Sequence, residues 1–501
     1  FDAHMKGRLT EKVLANVKTE KATYPRFDSD EAVFEIKDIA EGVDYLGGFS
    51  LYGRKVLGRG SDQKEAVLIF NRNGVPFLKM ASKTFVIKPE RIVAQIASPT
   101  FYIKEDSIFH PGLSFKFFIN KRSVSLIRDN KGIKITPYFN SYHQVDMDFE
   151  ALNWKIDSPM VEFENLTGGT RTRATFISSN YFKKDAYLKL MGLADKHPLY
   201  TIYELAEKLD TNYITVDDMA GHTLLAQTSI VNMLLDLSTK GFINYNYEGK
   251  YFIVKDKLTA WVKASGGNVD YDVIGFLSNT RGKSNATLSL LNYDLQLRGV
   301  NSVNVSDSQE VIIYPSHREI TLKKNRDFDF SGAIQAGRFD IMGHNFSFKY
   351  DEFKIDMPNV DSLRIYAETG RKNKHGELEI RPVKTLIEKI TGDLLIDRAN
   401  NKSGVKKADK YPVLNSFKDS YVFYDKKNIQ GGVYKRDDFY FHVEPFQIDS
   451  LDNFDNEQLK FKGTFLSGGI LPDMEEHLTL QPDHSLGFVK TTPPNGFDMY
   501  G

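Results

Sequence analysis

The run Phe346-Ser-Phe348-Lys-Tyr350-Asp-Glu352-Phe353-Lys-Ile355-Asp-Met357 decides how this chain is read. Phe346, Phe348 and Tyr350 recur at every second position. Phe353, Ile355 and Met357 do the same, one step out of phase. Period two is the side-chain period of a strand, so each half places three large apolar groups on one face. The slip at Asp351-Glu352 predicts a bend or bulge between two strands. Upstream, Phe328-Asp-Phe330-Ser-Gly332-Ala-Ile-Gln-Ala-Gly337 extends the strand pattern, and the organised stretch runs from Phe328 to Ile365.

This stretch has partial copies. Phe346, Phe348, Tyr350, Phe353 and Ile355 correspond in spacing to Phe439, Phe441, Val443, Phe446 and Ile448, and these ten residues are the expected repeat core. Asp361-Ser-Leu363, Asp449-Ser-Leu451 and Asp106-Ser-Ile108 also echo one another. A glycine pair five apart recurs as Gly48/Gly53, Gly332/Gly337 and Gly463/Gly468. None of the pairs is followed by Lys and then Ser or Thr, so they are not phosphate loops. Irregular spacing between copies argues against a short-period solenoid. Hairpin units with one apolar face need neighbours to bury it. The expected fold is mainly β: an elongated, repetitive, mostly antiparallel architecture, a β-solenoid or an open curved sheet, with a small helical insertion.

Composition agrees. Apolar residues are 41% of 501, enough for a large core. Aromatics are skewed to 36 Phe and 25 Tyr against 2 Trp, which suits pleated surfaces. Lys+Arg and Asp+Glu balance at 66 each, without the basic excess of a nucleic-acid binder, so no nucleic-acid partner is expected. No apolar run reaches the roughly 18 residues of a membrane helix. Cysteine is absent, which removes disulfides and thiolate chemistry and fits an oxidising compartment. The chain starts at Phe1, consistent with a fragment of a longer protein.

Taken in order, residues 1–30 read as a short helix or an extended opening segment. Residues 31–182 form an N-terminal β-repeat region. Within it, Asn71-Arg-Asn-Gly74 and Asp129-Asn-Lys-Gly132 are expected hairpin turns, and Trp154 sits in an alternating run. Residues 183–265 switch to helical spacing, with a helix over Leu224–Thr239 stopped by Gly241. A hairpin turning at Glu248-Gly249 follows, so the block has the outline of a winged helix. Its presumed recognition helix ends on a single base, Lys240, too little for phosphates, and a packing module is the preferred reading. Residues 266–501 return to β-repeats. They contain an expected short helix over 382–391, with Val383, Leu386, Ile387 and Ile390 on one face, and an expected mobile, lysine-bearing loop over 398–411.

Asp146, Asp148 and Glu150 are two apart and share one side of a strand. They could bind Ca²⁺ through oxygen ligands or act as paired carboxylates on a sugar. A solvated acidic face opposite Val145, Met147 and Phe149 is the competing reading. His110 and His143 have no metal-ligand partner at a familiar spacing, and there is no Gly-x-Ser-x-Gly elbow. No catalytic residue and no cofactor is assigned.

The run Phe461-Lys-Gly463-Thr-Phe-Leu-Ser-Gly468-Gly-Ile-Leu-Pro472-Asp, with Ser485-Leu-Gly-Phe-Val489, resembles segments of large, repetitive β-rich cell-envelope proteins of Bacteroidota-type bacteria. A looser likeness is to AsmA/TamB-type envelope proteins, whose curved sheet lines an apolar groove for lipid. The resemblance implies an extracytoplasmic setting, in the periplasm or at the cell surface, and carries no catalytic residues. The expected function is a non-enzymatic structural or interaction scaffold of the bacterial envelope, with other envelope proteins as partners. Lipid transfer along an apolar β-groove, and a carbohydrate-active or glycan-binding module, are the alternatives.

Overall fold

The computed structural model describes residues 6–13, 22–30, 33–60, 64–128, 135–166, 173–192, 196–247, 249–372, 374–376, 378–427 and 429–500. The expected turn at Asp129–Gly132 and residue Glu248 lie outside the described residues, as does part of the opening segment. The fold is mainly β, with antiparallel pairing and five described helices. The chain forms two compact units. The first comprises residues 1–269, 277–299 and 323–325; the second comprises 270–276, 300–322 and 326–501.

In the first unit, hairpins are dealt alternately to two ladders. One ladder runs through Arg26–Ser29, Val43–Tyr52, Lys55–Arg59, Thr84–Lys88, Arg91–Ile103, Leu113–Phe118, Ser123–Ile127, Ala151–Lys155, Met160–Glu164, Ala286–Ser289 and Leu295–Arg298. The other runs through Phe34–Ala40, Val43–Tyr52, Ala66–Arg72, Val75–Ser82, Arg91–Ile103, Asp106–Phe109, Tyr138–Asn140, Val145–Asp148 and Ala174–Ser178. Val43–Tyr52 and Arg91–Ile103 are long enough to serve both. Rings from the two ladders meet edge-on, Phe70 with Phe117 at 5.1 Å and Phe77 with Trp154 at 5.0 Å. The Asn73-Gly74 turn is a two-residue loop with φ of 52° and 75°, the primed geometry that an Asn-Gly pair favours.

Period two sorts each strand into core and solvent. Phe117, Val124, Trp154, Val161 and Leu288 lie side by side across five strands, and all are buried. One residue along, Lys116, Ser125, Asn153, Glu162, Thr287 and Gln296 form a polar row on the opposite face. Tyr45 is fully buried and donates to the carbonyl of Gly48 at 2.5 Å. A Cβ at position 58 would meet its ring at 2.7–2.9 Å, which is why glycine stands there.

The 183–265 block has helices α1 (Lys184–Met191), α2 (Pro198–Leu209), α3 (Val216–Thr223), α4 (Gln227–Thr239) and α5 (Asp256–Ser265). Strands Tyr213–Thr215, Tyr251–Val254 and Ile243–Asn246 pair in that spatial order. This is the arrangement of a winged helix. The helix expected to begin at Leu224 begins later, because Leu224 adopts φ 57° and closes α3. Thr215 and Asp218 form a capping box at the start of α3. Leu199, Ile202, Ile230, Leu234, Phe252 and Trp261 fill the block's interior.

In the second unit, Phe328–Ala336, Phe339–Lys349 and Lys354–Lys372 are consecutive neighbours. The phase slip at Asp351-Glu352 is a tight hairpin turn rather than a bulge. Lys349 faces Lys354 across it, and Phe353 takes φ 53° within the turn. Phe346, Phe348, Phe353, Ile355 and Met357 are fully buried and Tyr350 nearly so. Phe348 stacks on Phe328 at 4.7 Å, and Phe330 meets Phe346 at 5.4 Å. Protein side chains fill this face.

The copy at 439–448 folds differently. Phe439–Val443 joins a five-stranded ladder beside Ser420–Phe423 and Lys460–Ser467, whereas Ile448 pairs with Leu414 of another strand. Pro445 holds Glu444 extended, so the chain passes from one ladder to the next instead of turning back. Phe441, Val443 and Ile448 are buried, while Phe439 and Phe446 are half-buried against Tyr434 and Phe461. The glycine pairs have a consistent use. Gly53, Gly337 and Gly468 all take left-handed φ (59°, 53° and 62°) where a strand ends in a turn. Gly332 and Gly463 let a neighbouring strand approach, since a Cβ would sit 2.2 Å from the Tyr314 carbonyl or 1.9 Å from that of His442.

No helix forms over 382–391. Val383 donates to Ile365, Leu363 and Ile387 bond reciprocally, and Glu388 bonds with Tyr421. The edge of Lys354–Lys372 offers unpaired backbone groups, and satisfying them outweighs the weak propensity of a short helix. Ile390–Leu395 is a strand. The 398–411 segment is irregular but pinned. Asn401 is buried and bonded to Asp397 and to the Lys406 carbonyl, while Asp270 accepts from the backbone of Lys402 and Ser403.

Candidate polar cleft

Each member of the predicted acidic trio has a protein partner of its own. Asp146 accepts from Lys257 of α5 at 2.7 Å, with both side chains largely buried. That contact, with Lys255 lying 4.1 Å over the Phe139 ring, seats the winged-helix block on the ladder. Asp148 pairs with Arg128, which also donates to the Ile135 carbonyl. Burial pulls the Arg128 guanidinium down to about 10, still charged at neutral pH. Glu150 lies beyond the strand and accepts from the Leu166 backbone at 2.7 Å. Among the described residues, no group of three His, Asp or Glu side chains is placed to hold a metal ion.

The two histidines are structural. His110 bonds the Thr136 carbonyl at 2.8 Å and the Gly112 N–H at 3.0 Å. His143 bonds the Tyr293 carbonyl at 2.9 Å and Asn140 at 2.9 Å. Burial depresses both, His110 to about 3 and His143 to about 4, so both are neutral at physiological pH.

A concavity of about 710 Å³ opens on the polar face of the first unit. Met160–Glu164 forms one wall, and the loop before Ala286–Ser289 with the end of Leu295–Arg298 forms the other. Glu162 and Glu164 are two apart on their strand and point the same way. Asn153 donates to Glu164 at 2.6 Å. Burial, with the charge of Glu162 adding to it, raises the Glu164 carboxyl above its ordinary value against that hydrogen bond. Opposite, Arg298 donates to Thr287 and Gln296, each at 2.7 Å, and to Ser284 at 3.3 Å. All three partners are neutral. Arg281 and Lys283 stand at the rim. Glu150 and Asn285 brace the far end, fixing the backbone of Leu166 and Asn165. The Nδ2 of Asn165 is buried without a hydrogen-bond partner among the described residues.

Glu162 and Glu164 were not singled out by sequence reasoning. Their alternation in Met160-Val-Glu-Phe-Glu164 marks an outward strand face, but the opposing Arg298 is more than a hundred positions away and its placement is a matter of topology. Among the described residues, no aromatic ring lines the cleft. The exposed aromatics lie elsewhere, among them Tyr213 and Tyr247 in the winged-helix block. α4 carries no Lys or Arg, and Lys240 just after it pairs with Asp236. Among the described residues, no helix is long and apolar enough to cross a membrane. The chain matches no family model, no curated protein and no solved structure.

Proposed function

We propose that the chain is a non-enzymatic interaction scaffold of the bacterial cell envelope, working outside the cytoplasm. The observation that carries this reading is the use made of its chemically capable side chains. Asp146 and Asp148 are neutralised by Lys257 and Arg128, and the buried histidines tie loops together. The aromatic strand faces are filled by other side chains rather than lining a groove. The resemblance of the 461–489 region to envelope β-proteins and the lack of cysteine support the setting.

A second reading, glycan binding, is favoured by one observation: the polar cleft at Glu162, Glu164 and Arg298. Binding and scaffolding are compatible in an environment rich in sugars. The purified chain incubated with chromogenic glycosides should show no turnover above a Glu164→Gln control. Hydrolysis that this substitution abolishes would overturn the non-enzymatic reading.

A further inference from the structure

The cleft holds charges of both signs that do not pair with one another. Among the described residues, Glu162, Glu164, Arg281, Lys283 and Arg298 make no salt bridge, although elsewhere in this unit Lys257, Lys323 and Arg122 are each matched to a carboxylate. Exposed ion pairs contribute little, so the informative groups are the half-buried Glu164 and Arg298, each held by neutral partners. Here Arg298 is fixed by three neutral oxygens, which orient the guanidinium without neutralising it. Glu164 is likewise held by an amide, Asn153. Both sets of groups are pre-positioned on strands of one ladder.

The volume, about 710 Å³, is in the range of small-molecule sites. A ligand for it must donate hydrogen bonds to two carboxylates and supply an anion to a guanidinium. A phosphodiester chain would set a charge against Glu162 and Glu164 at every unit, whereas a saccharide can turn hydroxyls to the two glutamates and a carboxylate to Arg298. A peptide would need apolar pockets for its side chains, and among the described residues the lining has one apolar side chain, Leu166, whose backbone N–H donates to Glu150. Asn153, Thr287 and Gln296 continue the polar row along the sheet face beside the cleft, where they hold Glu164 and Arg298 in place. We propose that the cleft binds an acidic saccharide, with sugar hydroxyls donating to Glu162 and Glu164 and the uronate carboxylate accepting from Arg298. A carboxylate against a guanidinium can bond bidentately, and Arg281 and Lys283 add longer-range attraction at the rim. This inference rests on the glycan-binding reading and goes beyond it in naming the charge of the sugar.

Calorimetric titration of the full chain with digalacturonate, with neutral digalactose and with the dipeptide Gly-Glu separates the outcomes. Digalacturonate should bind, and at least tenfold more tightly than digalactose. Arg298→Gln should remove that preference while leaving the weaker digalactose binding in place, and Glu162→Gln should weaken both sugars. Since Arg298 also holds its hairpin, Arg281→Gln and Lys283→Gln serve as exposed companions. Each should weaken digalacturonate a few-fold at an unchanged melting temperature and lose its effect at high salt. Equal binding of both sugars, unmoved by the Arg or Lys variants, would overturn the acidic-sugar assignment and leave the glycan reading standing. Binding of neither sugar, or of Gly-Glu alone, would overturn both.

Discussion

Phe348→Ala tests whether the aromatic row of the second unit is core or groove. Phe348 is fully buried, stacked on Phe328 at 4.7 Å and edge-on to Phe353 at 6.2 Å. Burying a phenylalanine side chain is worth about 1.5–3 kcal/mol. An aromatic pair adds about 0.5–1.5 kcal/mol beyond area. The ring lies between strands held on both sides, Phe328–Ala336 and Lys354–Lys372, so the void cannot collapse fully and a cavity term is added. The sum is about 4 kcal/mol, at the middle of the range for Phe→Ala in packed cores. Urea unfolding should be followed by far-UV circular dichroism, because both tryptophans, Trp154 and Trp261, lie in the first unit. A loss below about 1 kcal/mol, accompanied by a change in bound lipid, would refute the packed-core account and restore the groove.

Three further outcomes follow from the geometry. His110 and His143 are held neutral in the fold, to about 3 and about 4, against about 6.5 unfolded. Between those values the unfolded chain binds more protons, so stability is full above pH 6.5 and falls as pH drops. Each should cost about 2 kcal/mol at pH 5, and a flat pH 5–7 melting profile, or one unaffected by His143→Gln, would contradict this. Lys257→Met should strip Asp146 of its partner and cost about 2 kcal/mol, read as faster amide exchange in α5; unchanged exchange would show the contact to be incidental. Because Asp146, Asp148 and Glu150 each have protein partners, 1 mM Ca²⁺ should leave the melting temperature unmoved, and a rise of several degrees would show that the trio binds the ion.

Local patterns in this chain were legible wherever the physics is local. The alternation at Phe346–Met357 identified two strands, and Asn-Gly at 73–74 identified its turn, because φ > 0 is favoured by those residues. The helical block announced itself through apolar spacing and through Gly241, which takes φ 77° past the end of α4. Features that depend on distant partners were not legible. The slip at Asp351-Glu352 gives a hairpin and its copy at Glu444-Pro445 a crossing, a difference that spacing hides and one proline decides. The apolar residues at 383–390 have helical spacing, yet they line a strand edge contributed by residues around Leu363 and Ile365. Asp146 and Asp148 share a strand face as read, but the bases that occupy them come from Lys257 and Arg128. The cleft is the extreme case, since neither wall is unusual alone.

The central claim, a scaffold working in the cell envelope, is tested most directly by locating the chain in its native cell. Fractionation followed by immunodetection should place it with the envelope, shielded from the cytoplasmic pool. Recovery in the soluble cytoplasmic fraction would contradict the account.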